Sequence, residues 1–208
     1  MLLTQLQTDA LTELLNIGFA RTAAALSELT GSRVILDVPE ISLCSIQDLG
    51  ANLATFIKGE VATVQQIFNG PVSGNAVLIL NSQDALTLIN SLTPNTGFHT
   101  HRLDSSATEA LTELGNILLN ACLSMFGNIL QIQISFSVPR LQLDALDGLL
   151  HSLSIGREEL RYALVIYTAF NLRENSVKGY MLMVLGVASL DYLIQAIESW
   201  VDLSVSSS

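Results

Sequence analysis

Residues 8–17 read TDALTELLNI and residues 108–117 read TEALTELGNI, eight of ten letters repeating at an offset of 100. The same offset pairs Val38-Pro39 with Val138-Pro139. Downstream the match loosens but the pattern persists. NGPVSGNAVLIL (69–80) resembles NLRENSVKGYMLMVL (171–185), each reading as strand-like runs around a turn, and SQDALTLINSL (82–92) and ASLDYLIQAIESW (188–200) both have the spacing of short amphipathic helices. Self-similarity of this kind is the mark of a duplicated unit. Repeat one covers about 1–95 and repeat two about 104–203, joined by the Pro-, Gly- and polar-rich TPNTGFHTHRLD at 93–104.

Each copy reads helix, strand, strand, hairpin, helix. The first helix is expected from about residue 5 to Thr30, with Gly31 as a left-handed stop, and its partner from about Asp104 to Phe126, with Gly127 in the same role. SRVILDVPEISL (32–43) and ILQIQISFSVPRLQL (129–143) are β-branched or alternating runs interrupted by Pro39 and Pro139, each of which ends a strand or shapes a turn. Two repeats without a long linker predict a single pseudo-twofold domain over 1–208. Its class is α/β: a largely antiparallel sheet pooling strands of both copies, with the two long helices paired.

At about 100° per residue, Asp9, Glu13 and Asn16 share one stripe of the first helix. Leu11, Leu14, Leu15, Gly18, Thr22 and Leu29 lie on the opposite face, which is the expected core seam. The second helix repeats the arrangement, with Glu109, Glu113 and Asn116 on one stripe and Leu111, Leu114, Leu118, Cys122 and Met125 facing away. Solvated helix residues are the ordinary explanation of an outward Glu and Asn. Three features argue otherwise: Asn is a mediocre helix former placed mid-helix, small residues (Ala20, Ala23, Ala24, Ser27) leave the first pair unobstructed, and the pair recurs in both copies. Ser106-x-x-Glu109 also fits a capping box if the second helix starts late.

Composition narrows the field. Hydrophobic residues are 50% of the 208 and charged residues 13%, a balance opposite to that of a disordered chain. The longest apolar run, Tyr180–Leu190, is interrupted by Gly186 and Ser189 and falls short of the ~20 residues that span a bilayer. MLLTQLQTDALTEL carries no secretion signal, and two cysteines cannot form a disulfide framework; a cytoplasmic chain is expected. Nine basic residues against nineteen acidic ones give a net charge of −10 with no Lys/Arg cluster, so nucleic acid is excluded as a partner.

Other chemistry is thin. His99-Thr-His101 lacks a carboxylate or Cys partner, His151 stands alone, and no metal site is expected. Cys44 and Cys122 sit in apolar stretches and read as core rather than nucleophiles. No glycine-rich loop is built to cradle phosphate; Gly18, Gly31 and Gly127 read as helix-packing or stop positions.

The spacing Asp9-x3-Glu13-x2-Asn16-x22-Pro39 resembles the signature of the CheC/CheX/FliY family of bacterial chemotaxis phosphatases: Asp or Ser, Glu, Asn and Pro at those intervals. Glu109-x3-Glu113-x2-Asn116-x22-Pro139 matches at three of four positions, with Glu109 where Asp or Ser is usual. The duplicated layout is similar to the CheC-like members; CheX-like chains typically carry one signature, and FliY-like chains add a C-terminal rotor domain.

The resemblance implies a CheC-like fold and hydrolysis of the aspartyl phosphate of a CheY-like response regulator. Asn16 and Asn116 would orient the attacking water, and Glu13 and Glu113 would pair with the regulator's active-site lysine. Asp9, Glu109, Pro39 and Pro139 would support them. The chain would need no cofactor of its own, because Mg²⁺ would belong to the regulator. The alternative the family implies is a non-enzymatic interaction module, as in the rotor protein FliM, or one that binds the deamidase CheD through a helix near Ser189–Trp200 with Tyr192 and Trp200 as anchors.

Overall fold

Thr4 begins the first long helix. Its hydroxyl accepts from the Gln7 backbone N–H at 3.2 Å while its own N–H donates to the Gln7 side chain at 2.9 Å, a reciprocal cap that satisfies two otherwise orphaned donors. This helix, α1 (Gln5–Thr30), ends at Gly31 in the left-handed region, φ 62°. The computed structural model describes residues 3–31, 33–92, 102–154, 160–172 and 175–206; His99, His101 and most of the expected join lie outside them.

The second long helix, α4 (Ser105–Leu130), is capped by Asp104, whose carboxylate accepts from the Ala107 N–H at 2.9 Å. The late start that would have made Ser106 and Glu109 a capping box does not occur. Nor does the helix stop before Gly127. It runs a turn further, and Gln131 takes the left-handed conformation at φ 52°. Gly127 serves a close approach instead. Its carbonyl accepts from the Ile132 N–H at 3.0 Å, and a Cβ there would lie 3.3 Å from the Ile132 carbonyl oxygen.

Repeat one continues as β1 (Val34–Leu36), β2 (Glu40–Ser45), α2 (Ile46–Ala54), β3 (Glu60–Asn69), β4 (Gly74–Asn81) and α3 (Ser82–Leu92). Repeat two supplies β5 (Ser135–Phe136), β6 (Arg140–Ala145), α5 (Leu146–Ser154), β7 (Leu160–Leu172), β8 (Asn175–Gly186) and α6 (Val187–Ser206). The hairpins begin earlier than expected, with β3 and β7, and α6 runs past Trp200. The short helices α2 and α5 were not anticipated. Nine residues directly after a strand carry too few turns for their period to stand out, although Ser45 caps α2 by accepting from the Asp48 N–H.

All strands join one antiparallel sheet of order β1-β7-β8-β4-β3-β5, with β2 also on β7 and β6 also on β3. The copies exchange strands. β1 and β2 pair with β7 of the other repeat, and β5 and β6 pair with β3. Equivalent registers repeat, Glu40 opposite Tyr167 and Arg140 opposite Gln65. The halves meet along β4 and β8, where Val77 faces Leu182. This is the curled, mixed α/β fold with a pseudo-twofold relation that the repeat implied.

The sheet buries two faces. On one, Ala62, Val64, Phe68, Leu78, Leu164, Ile166, Met181 and Met183 pack under α1, α3, α4 and α6. On the other, Val61, Val77, Ile79, Ala163, Leu182 and Val184 pack under α2 and α5 through Leu49, Leu53, Leu149 and Leu153. Fully buried side chains of this size contribute about 1.5–3 kcal/mol each, and both faces are needed because central strands β4 and β8 are apolar on each side. No described helix is long and apolar enough to cross a membrane.

Candidate functional site

Leu11, Leu14, Leu15 and Thr22 of α1 are buried, as are Leu111, Leu114, Leu118, Cys122 and Met125 of α4. That burial fixes the rotation of each helix and turns the opposite stripe outward. Asp9 and Glu13 are exposed and Asn16 is half-buried; Glu109 and Glu113 are exposed and Asn116 is half-buried. The side chain of Leu29 lies outside the described residues. The two helices touch where Gly18 meets Met125, whose Sδ would lie 3.3 Å from a Cβ on that glycine.

The two stripes are not equivalent in detail. Asp9 accepts from the Gln5 side-chain amide at 2.8 Å, whereas Glu109 has no corresponding bond among the described residues. Neither Glu13, Asn16 nor Glu113 has a side-chain hydrogen bond among the described residues, which leaves each available to a partner. Asn116 differs: its Oδ1 accepts from Nδ2 of Asn120 at 2.8 Å. The first copy has Ala20 at that position, exposed and small. Asn120 also buries its own Oδ1 without a partner. Sequence reading passed over Asn120, and the signal that could have found it is the break in the repeat at Ala20.

The two proline loops are held from below. Pro39 is buried and Pro139 half-buried, each in the short connection between the two edge strands of its copy. Thr168, 3% exposed, donates its hydroxyl to the Asp37 carbonyl at 3.0 Å. Gln66, 2% exposed, donates its amide to the Ser137 carbonyl at 3.0 Å. Asp37 and Ser137 are 100 residues apart, so in each copy one buried polar side chain from the partner repeat's hairpin holds the equivalent loop carbonyl, alongside other hydrogen bonds to the same residue. Nothing in the linear pattern marks Thr168 or Gln66, because the contact depends on strand exchange.

The remaining chemistry lies elsewhere. Burial pushes the Cys122 thiol far up, and burial likewise raises Cys44; a thiol in that state is a poor nucleophile. Among the described residues no cluster of three or more His, Cys, Asp or Glu side chains could hold a metal. A cavity of about 760 Å³ between Glu40, Phe56, Tyr167, Lys178 and Tyr180 lies on the α2/α5 side of the sheet, away from the Glu-Asn stripes. Exposed helix faces rather than an enclosed pocket therefore carry the Glu and Asn side chains, a geometry fitted to a macromolecular surface. Trp200 is half-buried, packed partly against the core, while Tyr192 is 42% exposed.

No family model matches the chain. The chain is 28% identical over 203 residues to the CheY-P phosphatase CheC of Bacillus subtilis (strain 168), covering 92% of this chain and 93% of that one. Its structure superimposes on FliY of Thermotoga maritima with a TM-score of 0.76 at 18% identity, over 96% of this chain and 100% of that one. The chain is similar over nearly its whole length to proteins of the CheC/CheX/FliY family. The FliM middle domain from H. pylori shares the fold at a TM-score of 0.62 and 11% identity, over 93% and 99% of the two chains. These structural likenesses concern the fold; within it, both copies of this CheC-like chain carry the Glu-Asn stripe.

Proposed function

We propose that this protein dephosphorylates the aspartyl phosphate of a CheY-like response regulator in chemotaxis, acting in the cytoplasm as one CheC-like domain. The observation that carries the reading is the pair of outward Glu-Asn stripes, Glu13/Asn16 and Glu113/Asn116, in a chain related over nearly its whole length to a CheY-P phosphatase. Phosphoryl transfer to water asks for positioning and electrostatics more than covalent help from the protein. A carboxamide suits that task, since it offers both donors and an acceptor to a water held at the phosphorus. Each Asn orients the attacking water, and each Glu engages the regulator's active-site lysine and sets the docking register. Asp9 and Glu109 flank the docking stripe one turn earlier, and Pro39 and Pro139 shape the anchored loops beside the helices. Mg²⁺ comes with the regulator.

A second reading is favoured by the fold it shares with the FliM middle domain: a non-enzymatic module that binds CheD or flagellar switch proteins. The decay of a phosphorylated CheY-like regulator in excess Mg²⁺ separates the two. Asn16→Ala together with Asn116→Ala is expected to leave only the regulator's spontaneous rate. A folded double variant with wild-type turnover would end the phosphatase assignment.

A further inference from the structure

Among the described residues, Asn120 alone reaches across the face of either stripe to hold its carboxamide. Nδ2 of Asn120 donates to Oδ1 of Asn116 at 2.8 Å, and Ala20 makes the corresponding bond impossible in the first copy. We propose that Asn120 is a positioning residue that pre-orients Asn116 for water attack, so that the second site turns over faster than the first. The proposal rests on the phosphatase reading above.

An unrestrained Asn can rotate its amide through two nearly equivalent orientations. In the second site, one lone pair of Oδ1 is engaged by Asn120. That fixes the amide plane and leaves available both the Asn116 NH₂, which makes no hydrogen bond among the described residues, and the second lone pair of Oδ1. A donated hydrogen bond also polarises the amide and strengthens it as a donor. Rotational freedom lost before docking need not be lost in the transition state.

The bond has a cost that a decorative surface contact would not carry. Asn120 buries its Oδ1 with no partner, and buried polar atoms without partners are rare in native proteins. Ala is the better helix former at the same place. Stability alone therefore favours Ala, the residue that stands in the first copy.

The experiment measures each site alone, using a CheY-like regulator charged with phosphoramidate in Mg²⁺. With the first site silenced by Asn16→Ala, Asn120→Ala is expected to lower kcat by roughly 2- to 10-fold, the range supplied by one neutral hydrogen bond. KM should change little, because the oriented water matters in the transition state. The melting temperature of that variant should be unchanged or higher, an outcome that a merely structural role for Asn120 would reverse. With the second site silenced by Asn116→Ala, Ala20→Asn is expected to raise kcat. An unchanged or raised kcat for Asn120→Ala, or an unchanged or lowered kcat for Ala20→Asn, overturns the proposal. Failure of the phosphatase reading itself is distinguishable, since it shows as undiminished turnover in the double Asn16/Asn116 variant.

Discussion

A Cβ built on Gly115 would lie 2.6–2.7 Å from all three side-chain carbons of Val64. At this point the α4 backbone rests directly on the Val64 side chain of β3. The repeat places Leu15 at the equivalent position of α1, buried to 0% exposure, so the copies seat their long helices on the sheet by different means. Gly115→Ala is expected to destabilise by about 1–3 kcal/mol through overpacking, and Gly115→Leu, which restores the repeat, by more. Combining Gly115→Ala with Val64→Ala should cost less than the sum of the single changes, as expected of residues in contact. Urea unfolding monitored by circular dichroism decides it. Additive single and double variants would show that the backbone relaxes around the new methyl.

Glu13 and Glu113 are exposed and without a partner among the described residues, so replacing them should hardly disturb the fold, within about ±0.5 kcal/mol. Docking contacts act in the ground state as well as the transition state, so Glu13→Ala or Glu113→Ala should raise KM for the phosphorylated regulator at the affected site. The Asn variants should act mainly on kcat. Stopped-flow decay at several regulator concentrations separates the two; Glu variants with unchanged KM would remove the docking role.

Thr168→Val removes the hydroxyl that holds the Asp37 carbonyl while keeping the side chain's shape. Losing a part-buried neutral hydrogen bond of this kind costs about 0.5–1.5 kcal/mol. The loss should appear in thermal unfolding, and hydrogen exchange should rise in the residues around Pro39 while the β7–β8 ladder stays protected. Gln66→Leu should do the same to the loop around Pro139, because Gln66 is the equivalent anchor. Exchange spread evenly over the sheet would contradict this local role.

Cys122 is fully buried and its thiol is pushed up by desolvation, so the native state resists ionisation that the unfolded chain allows. A group with a raised native pKa contributes fully below its unfolded value, about 8.5 for a thiol, and that contribution is lost as pH rises beyond it. Unfolding free energy should therefore fall between pH 8 and pH 10, and fall less in Cys122→Ala. Alkylation at pH 8 should reach half-buried Cys44 slowly and Cys122 only after denaturation. Fast labelling of native Cys122 would disprove its burial.

The linear sequence by itself determined the duplication, the span of α1 and the outward direction of both Glu-Asn pairs. These follow from local rules: a period of 3.6 that puts leucines on one face, a cap at one end and a left-handed glycine at the other. It also showed α3 between Ser82 and Leu92, where the amphipathic pattern is complete. The tertiary structure decided everything that depends on which strand meets which. Exchange of edge strands places Thr168 under Asp37 and Gln66 under Ser137, pairs more than 70 residues apart that no periodicity links. It decided that Gly115, legible only as a mismatch with Leu15, answers to Val64 on another element, and that Gly127 accommodates a returning chain rather than ending a helix. It also packed one side of Trp200 against the core, leaving that residue half-buried. Local propensity acts within a few residues along the chain, whereas close approach and buried hydrogen bonding arise only when distant segments are brought together, and those set the differences between two otherwise equal copies.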